Sequence, residues 1–149
     1  MGLKERLKSD LTEAIRARDE VRAGTIRMAL TSITNEEVAG KEARILTDAE
    51  IITVLSREAK KRREAAEAYD SAGSKERGDR ERAEGLVIAA YLPSQLSESE
   101  LQEMIKAAIV ETGASGPSGM GQVMKALSPK IAGRADGSKV SAAVKAALS

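Results

Sequence analysis

A chain of 149 residues with 24 Lys or Arg, 23 Asp or Glu and a net charge of +1 is large enough for one ordinary domain or two small ones. It has no His, Cys, Trp or Phe, which removes the usual neutral-pH proton shuttle, the thiolate nucleophile, zinc sites built from imidazole or thiolate, and the best platforms for stacking bases. With 42% hydrophobic residues but only two aromatics, both Tyr, any core is aliphatic, which suits packed helices better than a sheet.

Helical periodicity runs along nearly the whole chain. Leu3, Leu7, Leu11 and Ile15 recur at four-residue spacing and predict a first helix. A turn at Asp19 leads to a second on Ile26, Leu30 and Ile33, which Gly40 is placed to end. Thr47 with Glu50 three residues on forms a capping box, and Ile51, Leu55, Ala59, Ala66 and Tyr69 give the third helix its inward face. A loop over residues 72–78 leads to a fourth helix through Leu86, Val87, Ala90 and Tyr91, stopped by Pro93.

Pro93 also reads as a domain boundary. Beyond it Ser97 with Glu100 repeats the capping-box pattern and opens a helix on Leu101, Ile105, Ala108 and Thr112, ended by Gly113. Residues 114–119, rich in Gly, Ser and Pro, read as a flexible linker. Met120, Val123, Met124 and Leu127 make a short helix closed by Ser128-Pro129. Val140, Val144 and Leu148 line a last one, capped by Asp136 or Ser138. The expectation is therefore an all-α protein in two parts, a four-helix N-terminal domain over residues 1–93 and a small three-helix C-terminal domain over residues 94–149. A domain of roughly 55 residues without an aromatic sits at the size where a core barely suffices, so it is expected to be marginal and mobile about Pro93.

Charge is unevenly spread. Residues 1–92 carry 18 basic and 18 acidic side chains, whereas residues 113–149 carry five Lys or Arg against the single acid Asp136. That asymmetry suggests a tail shaped to meet an anion. Lys125 lies opposite the Val123 and Leu127 stripe. Lys130, Arg134 and Lys139 occupy or flank a loop whose Gly133 and Gly137 let the backbone approach a partner. Ordinary solvent-facing charge is the alternative reading. With no aromatic to stack bases, contact of these four with RNA would be to phosphate, ribose and shape. A second cluster, Arg57 to Arg63 (REAKKRR), offers Lys60, Lys61 and Arg63 as a secondary basic ridge, with Arg62 on the inward stripe; a solvated face paired with Glu58, Glu64 and Glu67 is the simpler reading.

Other chemistry finds little purchase. Gly116, Gly119 and Gly121 precede a helix, but no strand pattern comes before them and no Gly-Lys-Ser/Thr follows, so a nucleotide loop is not indicated. Scattered carboxylates predict no metal site, no cofactor and no catalytic residue. The opening MGLKERLK contains no hydrophobic signal core, Arg6 stands where a myristoylation signal needs Ser or Thr, and the longest apolar run, residues 86–92, is too short to span a membrane. A soluble cytoplasmic protein is expected.

The segments YLPSQLSESEL, MGQVMKALSPKIAGRADGSKV and the final VKAAL, with RMALTSITNEE, VLSREAKKRREAAEAY and ERAEGLVIAAYLP before them, resemble the GatB/YqeY family and its stand-alone YqeY members over nearly the whole chain. The loop before the fourth helix departs from the family's Gly-Arg pair, with Gly73-Ser74-Lys75-Glu76-Arg77 instead. The resemblance implies an all-helical fold in two parts. It also implies a kinship with the tail of the B subunit of the glutamine-dependent aspartyl/glutamyl-tRNA amidotransferase, a module associated with tRNA binding. With the basic tail, it implies a tRNA-binding or tRNA-associated helper; the overall charge balance and the Met- and Ala-rich helix surfaces suit instead an adaptor that docks onto a synthetase or amidotransferase subunit. The family's label of carbon-nitrogen ligase with glutamine as amido-N-donor fits the larger complex, since the domain that activates the tRNA-linked carboxylate has no counterpart in 149 residues.

Overall fold

The computed structural model describes residues 1–149 and is all α. Seven helices follow in order: α1 (Leu3–Arg16), α2 (Glu20–Glu37), α3 (Asp48–Ser71), α4 (Lys75–Ala89), α5 (Glu98–Thr112), α6 (Met120–Ile131) and α7 (Gly137–Leu148). A single 3-10 turn, Pro117–Gly119, precedes α6. The chain divides into two compact units, Met1–Leu92 and Pro93–Ser149, each with its own apolar cluster.

In the N-terminal unit α3 packs chiefly on α4 and α1 on α2, around Leu7, Ile26, Ile33, Ile51, Leu55, Ile88 and Tyr91. Four expected core positions fall outside it: Ala90, the C-cap of α4, is exposed, Tyr69 is only half-buried, and Ile15 and Leu86 face solvent. Residues four apart drift about 40° per step on a helix of 3.6 residues per turn, so the stripe begun by Leu7 passes through Ala14 and leaves Ile15 52% exposed. Leu86 lies about 160° round α4 from Ile88, and because Ile88 takes the core, Leu86 is 75% exposed.

The helix ends are set by local hydrogen bonds. Asp19 accepts from Arg22 N at 3.1 Å and starts α2. That helix ends at Glu37, before Gly40, because the loop folds back on Glu37: its carbonyl accepts from Arg44 N at 2.9 Å, and its carboxylate accepts from Leu46 N and Lys4 Nζ at 3.2 and 2.6 Å. Thr47 and Glu50 form the complete capping box of α3. The loop expected at residues 72–78 is shorter, since Gly73 adopts φ +78° and lets α4 begin at Lys75. Gly78 therefore lies inside α4, buried where a Cβ would collide with the Asp70 carboxylate and sit 3.2 Å from the Ala66 carbonyl of α3.

The C-terminal unit closes around Ile105, Val123, Leu127, Val140 and Val144, all fully buried, with Leu101, Ala108, Ile131 and Leu148 beside them. Ser97 accepts from Glu100 N at 3.1 Å, but Glu100 returns to the Ser97 hydroxyl and not to its main chain, so only half of a capping box forms. Gly113 caps α5 with φ +67° and Asp136 caps α7. The segment read as a flexible linker is a packed turn: Gly119 is buried against Ala114, which joins the apolar cluster. Pro129 does not close α6 either. It stands in the last turn, where it forgoes the hydrogen bond an N–H would give the Lys125 carbonyl, yet the helix runs on to bury Ile131.

Candidate nucleic-acid interface

Five of the six basic residues of the C-terminal unit sit on one part of it. Helices α6 and α7 and the loop between them carry Lys125, Lys130, Arg134, Lys139 and Lys145, and the one acid among them, Asp136, caps α7. Four acids, Glu98, Glu100, Glu103 and Glu111, stand instead on α5 with a single Lys. The unit is electrically polarised, and the surplus seen in the sequence belongs to α6, α7 and their loop.

Within that surface the four residues differ. Lys125 on α6 and Lys139 in the first turn of α7 are exposed and form no salt bridge. Lys130 reaches Glu111 of α5 at 3.4 Å, and with both side chains more than half exposed the pair contributes about 1 kcal/mol or less. Lys125 and Lys130 lie about 140° apart around α6, so they do not share one phosphate. Arg134 is half-buried and committed inward: its Nε donates to the Ser94 carbonyl at 3.0 Å, and its own carbonyl accepts from Leu96 N at 2.9 Å. Beside it Gln95 Nε2 donates to the Gly133 carbonyl at 2.8 Å. Asp136 at the N-cap compensates the positive end of α7, whereas α6 has neither an acidic residue in its first turn nor a side-chain cap.

The Arg57 to Arg63 cluster does not converge. Arg57 pairs with Glu36 at 3.4 Å, Lys61 pairs with Glu58 at 3.2 Å, and Lys60 is half-buried with a partner of its own. Arg63 is exposed, about 160° from Lys61 around α3. Arg62 is buried, 5% exposed, donating to Glu58 Oε2 at 3.0 Å, with Glu84 Oε2 of α4 at 3.4 Å from its Nε. Glu58 is buried too and is not part of a solvated face. Burial alone pushes its carboxyl pKa up, but hydrogen bonds from Arg62, Lys61 and Ser32 outweigh that and hold it below its ordinary value. The position of Glu58 between Leu55 and Ala59, four residues before Arg62, was the signal that could have revealed this pair in the sequence.

A second network joins α1 to the end of the N-terminal unit. Tyr91 Oη donates to Asp10, Arg22 approaches the same carboxylate at 3.9 Å, and the Arg6 guanidinium lies 4.7 Å from the Tyr91 ring centroid. An open groove of about 440 Å³ runs between α2, α3 and α4 over Met28, Ser32, Lys61, Arg62 and Glu84. No three carboxylates converge in a metal-binding arrangement, and no helix is long and apolar enough to cross a membrane.

The family model for Yqey-like protein matches residues 4–148. The chain belongs to the YqeY-like family. Among curated relatives it is 29% identical over 133 residues to altered inheritance of mitochondria protein 41, mitochondrial, of Pyrenophora tritici-repentis (strain Pt-1C-BFP), the match covering 87% of this chain and 71% of that one. The family's succession of pieces thus runs through both units of the fold.

Proposed function

We propose that this YqeY-like protein is a tRNA-binding helper that meets the RNA backbone through α6, α7 and the loop between them. The observation that carries the reading is the polarisation of the C-terminal unit, with Lys125 and Lys139 exposed and unpaired on the two helices. Clustered cations of this kind supply affinity for a phosphate backbone through counterion release, and with no Trp or Phe the surface has little to read bases with. The resemblance to the amidotransferase tail supports tRNA as the RNA. The cytoplasm, where such a ligand is met, is the proposed location.

Titration of labelled tRNA with the full chain tests the reading. Wild type binds at low salt, and Lys125→Glu with Lys139→Glu abolishes binding while the far-ultraviolet circular dichroism is kept. Equal binding by the charge-reversed variant sinks the proposal.

The open groove of the N-terminal unit, flanked by the half-exposed Met28, favours a second reading as an adaptor for a tRNA synthetase or amidotransferase subunit. Capture of such a subunit that survives nuclease and high salt would replace the RNA reading with this one. Glutamine-dependent amide transfer onto charged tRNA by the purified chain alone would replace both.

A further inference from the structure

We infer that Arg134 is a positioning residue of the basic surface: it clamps residues 93–96 to the loop that enters α7, so that Lys130 and Lys139 are held on either side of a fixed turn. The choice of tRNA as probe rests on the proposed function; the clamp itself does not.

Three hydrogen bonds cross between the two segments, and a fourth, inside residues 93–96, orients Gln95. Arg134 Nε donates to the Ser94 carbonyl at 3.0 Å, and Leu96 N donates to the Arg134 carbonyl at 2.9 Å. Gln95 Nε2 donates to the carbonyls of Gly133 and Pro93 at 2.8 and 3.0 Å. Each segment thus sends one side chain to the other's main chain. Gly133 takes φ +74°, a conformation that a side chain resists, and that turn offers its carbonyl to Gln95. Arg134 N donates to Ile131 O at 2.8 Å, which ties the loop to the buried end of α6.

The chemistry separates holding from touching. A residue that contacts a phosphate releases a counterion, so its removal lowers the slope of log affinity against log salt by about one. A residue that only holds the loop changes affinity with the slope intact. A Lys at position 134 keeps the charge but has no planar Nε–H to give Ser94. Gln95 carries no charge at all, so its loss isolates the clamp.

Labelled tRNA is titrated across a salt series with wild type and with the variants R134Q, R134K, Q95A and K139Q. Amide exchange of Leu96 is followed in the same proteins, and exchange of Val144 reports the intact core. Positioning predicts that R134Q, R134K and Q95A each raise Leu96 exchange roughly tenfold with Val144 unchanged, and each weaken binding at the wild-type slope. K139Q lowers the slope by about one and leaves Leu96 protected. A slope lowered by about one in R134Q, or Leu96 exchange unaltered by it, overturns the inference. Where wild type binds no tRNA, the proposed function falls alone, and Leu96 exchange in R134Q and Q95A decides the clamp.

Discussion

Arg62 donates to Glu58 one turn earlier on α3 at 3.0 Å, and both side chains are buried. The pair lies at the junction of three helices: Ser32 of α2 also donates to Glu58, and Glu84 of α4 faces the Arg62 Nε. Charges withdrawn from water cost a great deal when one partner is lost.

Truncating Arg62 to Ala is therefore expected to destabilise the N-terminal unit by about 3 kcal/mol, because Glu58 and Glu84 lose their common partner. Arg63→Ala, one residue along and exposed, is expected to stay within about 0.5 kcal/mol of wild type. Urea unfolding followed by circular dichroism compares the two, and equal midpoints would show that the buried pair is dispensable.

The pH dependence has two limbs. Glu58 has a folded-state pKa below its ordinary 4.5, so its stabilisation is present above that value and is lost as pH falls through the depressed one. Glu37, hydrogen-bonded by Lys4, and Asp70, hydrogen-bonded by Arg82, are shifted the same way. Tyr91 is shifted upward, from 10.0 to about 12, by burial and by its hydrogen bond to Asp10. Its contribution is complete below pH 10 and is lost as pH rises through about 12. The stability difference between wild type and Tyr91→Phe should accordingly narrow between pH 10 and 12 in urea titrations; a constant difference contradicts the assignment.

Two glycines of α4 should respond oppositely to alanine. At Gly85 a Cβ meets nothing within 4 Å, and the better helix propensity of Ala is expected to stabilise by up to about 1 kcal/mol. At Gly78 the same Cβ strikes the Asp70 carboxylate, which Arg82 holds through two hydrogen bonds, and crowds the Ala66 carbonyl at 3.2 Å. Gly78→Ala should lower the thermal midpoint and Gly85→Ala should raise it, as scanning calorimetry would report.

The helices and most of their faces were legible because apolar spacing and caps are local: Thr47 with Glu50, Gly113 and Asp136 do what their positions suggested. Ile15 was misplaced because four-residue spacing drifts off a helical stripe, and Pro129 because burial of Ile131 prevails over a local breaker. The charged side chains were the least legible. Lys60, Lys61 and Arg62 look alike in sequence, yet the fold gives each a different partner or depth. Arg134 stood out as a cation, while its bond to Ser94 depends on residues 40 positions apart meeting in space.

The salt dependence of tRNA binding tests the central claim most directly. With Lys125, Lys130 and Lys139 each meeting a phosphate, log affinity should fall against log salt with a slope of about −3, moving to about −1 in Lys125→Gln with Lys139→Gln. No binding at the lowest salt, or a slope that the double variant leaves unchanged, would contradict it.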